Sequence, residues 1–121
     1  MNKKKILIAE DDSDVMTVLG EGLDGYEIVS AYDGRDAWEK TKETVPDLIL
    51  LDIMMPAING AELNKKFKKD KKLKDIPVII ITGRPNMEGL FSDSGPNRVE
   101  GFLEKPFTLK VLKAEIERVL D

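Results

Sequence analysis

Leu48-Ile49-Leu50-Leu51-Asp52 carries four apolar residues straight into a carboxylate. A short apolar run with no polar alternation reads as a strand buried on both faces. Such strands belong to parallel sheets covered by helices on either side. Working outward, Ile6-Leu7-Ile8-Ala9 and Val78-Ile79-Ile80-Ile81 have the same character, Gly101-Phe102-Leu103 belongs to a further strand, and Tyr26 to Ala31 is a weaker one. Between them lie helical spacings. Val15, Val18, Leu19 and Leu23 follow the first strand, with Gly25 suiting the helix stop. Ala37, Trp38 and Thr41 mark a second helix ending before Pro46, and Leu63 and Phe67 mark the inner face of a third after the turn at Asn59-Gly60. Thr108 suits the N-cap of a last helix with Leu109, Leu112, Ile116, Val119 and Leu120 facing the core. The order is strand then helix, five times over, with the fourth helix the irregular one. It predicts an α/β fold with an open parallel sheet and right-handed crossovers. Ligands of such sheets sit beyond the carboxyl ends of the strands.

The chain has 121 residues, no cysteine, no histidine and a net charge of −4. That length suits one domain. Disulfides, zinc–thiolate sites, cysteine nucleophiles and histidine bases are excluded. Any chemistry must use carboxylates, hydroxyls, lysines, backbone groups and a metal that prefers oxygen. No apolar run approaches the ~20 residues of a membrane span. The basic start Met1-Asn2-Lys3-Lys4-Lys5 leads into an apolar stretch that stops at Glu10, so it is not a signal peptide and the cytoplasm is the expected location. The acidic balance argues against direct nucleic-acid binding.

The strand ends gather Glu10-Asp11-Asp12, Asp52, Thr82-Gly83 and Glu104-Lys105-Pro106 on one edge of the sheet. Taken singly, each has an ordinary explanation: Asp12 or Ser13 as a helix N-cap, Thr82 as a strand terminus, Lys105 as a residue before proline. Together they place at least three carboxylates near a hydroxyl and an ammonium. Like charges in one pocket repel, and burial worsens this. A divalent cation relieves it, and all-oxygen ligands select Mg²⁺ or Mn²⁺. A metal, carboxylates and a lysine are also what phosphoryl transfer requires, since its catalysis is mostly positioning and charge neutralisation.

These segments resemble the receiver domain of bacterial two-component response regulators. The resemblance rests on Ile6 to Asp12, on Pro46 to Pro56 with Asn59-Gly60, on Ile76 to Gly83, and on Phe102 to Phe107. It covers nearly the whole chain, 1–121, and implies a five-stranded, flavodoxin-like doubly wound (βα)5 fold with strand order 2-1-3-4-5. It implies a phosphoacceptor switch, not an enzyme, phosphorylated by a sensor histidine kinase or phosphotransfer protein and read by a downstream target or output domain. Asp52 resembles the phosphorylated aspartate. Asp11 and Glu10 resemble metal ligands, the second largely through water, and the backbone carbonyl of Met54 another. Thr82 and Lys105 resemble the hydroxyl and ammonium that engage the phosphoryl oxygens, Phe102 the switch aromatic, and Lys105–Pro106 a cis peptide.

Departures from the family pattern centre on Arg84 to Asn97, rich in helix breakers where many receivers carry a regular amphipathic helix. A specialised partner surface and a drifted loop are the two readings. Lys65, Lys66, Lys68, Lys69, Lys71, Lys72 and Lys74 form a basic stretch broken by Asp70. A solvated helix face is its ordinary reading, and docking to an acidic partner the functional one. Trp38 is expected to pack, not to bind ligand. Met54 and Arg84, two residues beyond Asp52 and Thr82, cannot orient an attacking water as a carboxylate or amide could, so self-dephosphorylation is expected to be slow. A haloacid-dehalogenase-type phosphatase would want Asp where Met54 stands, and a flavodoxin-like electron carrier would want a phosphate-cradling loop where Glu10-Asp11-Asp12 stands. The remaining alternative is a receiver fold used as an interaction scaffold without phosphorylation. The sequence closes soon after its last helix with no linker or DNA-binding segment, which fits a stand-alone receiver or a part of a larger regulator or hybrid kinase.

Overall fold

The computed structural model describes residues 3–53, 60–83, 88–92 and 94–120. The elements run β1 (Lys5–Ala9), α1 (Ser13–Gly22), β2 (Glu27–Ala31), α2 (Gly34–Thr44), β3 (Leu48–Asp52), α3 (Gly60–Lys69), β4 (Val78–Thr82), a 3-10 turn (Glu88–Leu90), β5 (Gly101–Glu104) and α4 (Leu109–Leu120). All five strands are parallel, in the order β2-β1-β3-β4-β5. The order reverses between β1 and β3, so their carboxyl ends flank the switch point where ligands collect.

The uninterrupted apolar runs have a simple cause. Successive side chains alternate faces, and both faces are covered. Leu7, Ala9, Ile49, Leu51 and Ile80 pack with Ala37 of α2 and with Leu63 and Phe67 of α3. Ile6, Ile8, Leu48, Leu50 and Ile79 pack with Met16 and Leu19 of α1 and with Leu112 and Ile116 of α4. Each such fully buried Leu or Ile contributes roughly 1.5–3 kcal/mol of transfer free energy.

Local chemistry sets the helix ends. Asp12 caps α1, its carboxylate accepting from the N–H groups of Asp14 at 2.9 Å and Val15 at 3.3 Å. Asp33 caps α2 through the Asp36 N–H at 2.7 Å. Thr108 Oγ1 accepts from the Val111 N–H at 3.1 Å, as expected of an N-cap for α4. Two sequence expectations about α1 are corrected. The stop of α1 is not Gly25: the helix ends at Gly22 with Leu23 as C-cap, because Leu23 dives into the core. Val18 is 55% exposed and Met16 takes the buried position in its place.

Between β4 and β5 the described residues contain no α-helix, only the 3-10 turn. Downstream of it the chain doubles back. Ser92 N–H donates to Asn97 O at 3.2 Å and Val99 N–H to Ser92 O at 3.0 Å. Gly95 makes the turn at φ 86°, a conformation only glycine adopts cheaply. Residues 84–87, with Arg84, Pro85 and Asn86, lie outside the described residues.

A second network holds the return of this segment. Lys68, read from sequence as part of a solvated run, is instead buried. Its Nζ donates to Glu100 Oε1 at 2.9 Å and Ile76 O at 3.1 Å. Glu100 Oε1 also accepts from the Val78 N–H at 2.8 Å. Burial pulls the Lys68 pKa below its ordinary value, with Glu100 pulling the other way. Asn64 Nδ2 adds a bond to Arg98 O at 2.9 Å.

Val45 ends α2 in the left-handed region at φ 45°. A side chain there crowds the following carbonyl by roughly 1–2 kcal/mol, and at 47% exposure Val45 gains little packing in return. Val45→Asn is therefore expected to stabilise the protein by about 1 kcal/mol, read as a higher urea midpoint at unchanged slope. A lower midpoint would show that the valine's contacts outweigh its backbone strain.

Candidate functional site

The site is built by topology. Neighbouring β1 and β3 run parallel with Ala9 beside Leu51, so Glu10 and Asp52 follow as neighbours at the carboxyl edge. Asp52 pairs with Ile81, which puts Thr82 one step further along β4, and Thr82 pairs with Glu104. Lys105 N–H then donates to Thr82 O at 2.7 Å, fixing the lysine at the same edge. The Lys105–Pro106 peptide is cis, as the resemblance implied.

The side chains converge. Carboxylate oxygens of Glu10, Asp11 and Asp52 lie within 4.8 Å of one another. Glu10 and Asp52 are buried, while Asp11 is exposed at the mouth. Lys105 Nζ bridges the buried pair, 2.9 Å from Glu10 Oε1 and 3.3 Å from Asp52 Oδ2. Thr82 is fully buried.

The electrostatics are those of a crowded anionic pocket. Burial, with Asp52 adding to it, pushes the Glu10 carboxyl up to about 8, against the opposing pull of Lys105. Burial also works against the Lys105 ammonium, but its bond to Glu10 and the charges of Asp52 and Glu10 outweigh this and leave its pKa above the ordinary lysine value. Glu10 Oε2 is buried without a hydrogen-bond partner among the described residues. An orphaned carboxylate oxygen of this kind is costly, and one lysine cannot satisfy the set. A hard divalent cation among three carboxylates would satisfy it, so the donor set fits Mg²⁺ or Mn²⁺.

Of the residues singled out in sequence, Glu10, Asp11, Asp52, Thr82 and Lys105 are gathered at this edge. Met54 lies outside the described residues, and so does its carbonyl. Phe102 lies back from the edge, paired with Ile80 and half-buried. It packs against Phe91, ring centroids 6.0 Å apart and tilted by 53°. Sequence reading missed Phe91, since it sits among helix breakers with no periodicity to mark it. It also read Gly60 only as a turn residue. Gly60 N–H donates to Ile53 O at 3.3 Å, and a Cβ there would overlap the Ile53 backbone, so the chain after Asp52 returns against its own strand as only glycine allows.

Buried acids at strand ends, a bridging lysine and a doubly wound sheet define a class of α/β domains with a carboxylate site at the sheet edge. The sequence model of the response regulator receiver domain matches residues 6–117, and the chain belongs to that family. It is 30% identical over 97% of its length to the alkaline phosphatase synthesis transcriptional regulatory protein PhoP of Bacillus subtilis, covering 48% of that protein. It is 32% identical over 98% of its length to hybrid signal transduction histidine kinase D of Dictyostelium discoideum, covering 8% of it. The chain thus spans about half, or far less, of these relatives. Among solved structures, chemotaxis response regulator CheY4 of Vibrio cholerae superposes with a TM-score of 0.87 at 29% identity, with 98% of this chain and 100% of that one covered. A CheY-like receiver domain protein of Methanospirillum hungatei gives a TM-score of 0.88 at 26% identity, with 99% and 95% covered. Among the described residues no helix is long and apolar enough to cross a membrane.

Substitutions at the pocket should act on metal-free stability with opposite signs. Asp52→Asn removes one of two facing buried carboxylates and is expected to stabilise by about 1 kcal/mol. Lys105→Ala leaves both without their cation and is expected to destabilise by roughly 2 kcal/mol, less than a fully buried pair would because the lysine is partly exposed. Denaturant unfolding in excess chelator reads both, and effects of the same sign would refute the crowding account.

Proposed function

We propose that the chain is a cytoplasmic phosphoacceptor switch of a two-component relay, taking a phosphoryl group on Asp52 from a phosphohistidine of a kinase or phosphotransfer protein. The observation that carries this reading is the set of three carboxylates within 4.8 Å of one another, with Lys105 Nζ 3.3 Å from Asp52. Glu10, Asp11 and Asp52 would hold Mg²⁺ or Mn²⁺, which when bound supplies positive charge beside the transferring group.

The rest is the work of the chain's own residues. An Asp52 carboxylate oxygen attacks phosphorus in line with the donor imidazole nitrogen. The O–P bond forms, the P–N bond breaks, and the imidazole leaves with the electron pair. Lys105, already poised between Glu10 and Asp52, shifts its ammonium to the new phosphoryl oxygens, where fixed positive charge is worth most. Thr82, at the end of the neighbouring strand, offers its hydroxyl to one of those oxygens. Phe102, two residues earlier on β5 than its end, senses the movement through its packing against Phe91. The added charge biases a two-state surface, and population shift is the economical account.

A rival reading makes this fold a constitutive scaffold. The observation in its favour is that the described residues between β4 and β5 form no α-helix, so one element many receivers use for output is absent there. The two readings part over metal-dependent modification.

Incubation with Mg²⁺ and acetyl phosphate is expected to add one phosphoryl mass, read by intact mass spectrometry. The gain should vanish in Asp52→Ala and in chelator, and should persist for many minutes after donor removal. A folded, metal-replete protein that gains no mass from acetyl phosphate, binds no beryllofluoride and accepts nothing from a phosphorylated histidine phosphotransfer protein would favour the scaffold.

A further inference from the structure

The lysines of α3 remain outside any role at the Asp52 edge. Residues 61–75 hold seven lysines against Glu62, Asp70 and Asp75, a net charge of +4, which leaves −8 on the other 106 residues. Lys68 is consumed by Glu100. The other six, Lys65, Lys66, Lys69, Lys71, Lys72 and Lys74, are all exposed. Among the described residues none of them lies within ion-pair distance of a carboxylate.

A merely solvated face looks different in this same molecule. On α2, Arg35 pairs with Glu39 at 3.3 Å and Lys40 with Asp36 at 3.2 Å. On α4, Arg118 pairs with Glu115 at 2.7 Å. On α3 Glu62 lies one turn before Lys65 and Lys66, but beyond it the spacing sets like charges on one another: Lys65 above Lys69, and Lys66 beside Lys69. The helix dipole welcomes lysines in the last turn and so accounts for Lys66 and Lys69. It does not account for Lys71, Lys72 and Lys74, which the following turn gathers at the helix end. Of the two acids beside them, Asp70 is engaged elsewhere, its carboxylate accepting from the backbone N–H groups of Lys72 at 2.8 Å and Leu73 at 3.2 Å, and Asp75 is exposed and beyond ion-pair distance of these lysines. The patch extends onto α2. Lys66 and Lys42 place their ammonium groups 4.4 Å and 5.2 Å from the ring centre of Trp38, whose ring stacks on Phe67 at 5.8 Å.

We infer that the exposed lysines of α3 and the turn after it form a docking surface for a short acidic segment of a partner protein. Mutual repulsion among lysines that outnumber the acids of their stretch by seven to three is what an acidic partner relieves. The size favours a peptide: α3 has ten residues, hence an axis of about 15 Å. A nucleic-acid duplex or an anionic bilayer is an extended surface and would also meet the −8 spread over the rest of the chain. A short glutamate-rich segment meets the patch alone. The lysine end of α3 leads into β4 at the sheet edge opposite Asp52, so this docking does not require phosphorylation.

The full chain would be titrated with a glutamate-rich peptide by calorimetry, with Trp38, the single tryptophan, as a fluorescent witness beside Lys66. Saturable binding is expected, accompanied by a Trp38 change, and weakened about tenfold or more from low to high salt. The double charge reversal Lys69→Glu with Lys72→Glu should weaken it by about tenfold or more, with the circular dichroism spectrum unchanged. The matched reversal Lys110→Glu with Lys113→Glu on α4 should leave it within about twofold. Absence of peptide binding, equal losses in the two reversals, or tighter binding of a DNA duplex or of phosphatidylserine vesicles than of the peptide would each overturn the inference. Asp52→Ala should bind the peptide as the wild type does, which keeps this test separate from that of phosphorylation.

Discussion

Glu10 and Asp52 stand at the carboxyl ends of adjacent parallel strands, buried and facing, with Lys105 between them. Nothing in folding asks for this. A core of this size would be more stable with one acid fewer, and Lys105, reaching across from beyond β5, offsets part of the cost of the pair. Much of the remaining architecture can be seen as what holds that arrangement in place. The parallel sheet brings the ends of β1, β3, β4 and β5, which carry the pocket, to one edge. The backbone bond from Lys105 to Thr82 sets the lysine's height. The close return of Gly60 against Ile53 brings the chain after Asp52 back over its own strand. Violations of local stability rules at a place the topology reserves for ligands are where function is to be sought.

The fold was legible because both faces of the sheet are covered. That requirement writes itself into sequence as unbroken apolar runs, and the runs at 6–9, 48–51 and 78–81 proved to be β1, β3 and β4. Their carboxyl ends then named the pocket, since a parallel sheet leaves no choice over which ends meet. The failures have physical reasons. Val18 fits the helical period but stands on the open side of α1, and period alone does not say where a helix face stops being covered. Gly25 suggested a stop that Leu23 pre-empted by burying itself. Lys68 looked like one solvated lysine among many because its partner, Glu100, lies 32 residues away, and no local pattern reports so distant a pair. Phe91 went unseen for the same reason: its meaning comes from Phe102, which only β5 brings near.

The segment between β4 and β5 shows how departure from a family pattern can still be ordered. Helix breakers do preclude a regular helix over the described part. The segment is nonetheless fastened at its return. Glu100 joins β4 to Lys68, Asn64 holds the Arg98 carbonyl, and Phe91 lies on Phe102. Over its described part the segment is not a helix standing on the sheet but a strap tied to α3. Any displacement of Phe102 therefore meets a segment whose other end is anchored on the helix that carries the lysines.

That anchoring joins two regions that charge sets apart. The acids crowd the carboxyl edge of β1 and β3, where repulsion is answered by a lysine and a site fit for a divalent ion. The exposed lysines crowd the far end of α3, where among the described residues no carboxylate comes within ion-pair distance of them. A chain of net −4 could have interleaved these charges and gained a few tenths of a kcal/mol per helical pair, roughly what Arg35–Glu39 and Lys40–Asp36 give α2. On α3, beyond Glu62, it sets the lysines beside one another. Each end then presents an uncompensated field of one sign, and screening over about 8 Å at physiological salt keeps the two fields largely independent at their opposite edges of the sheet. One edge gathers carboxylates in a set that fits a divalent ion and the other gathers lysines, and β3 and α3, consecutive in the chain, run between them.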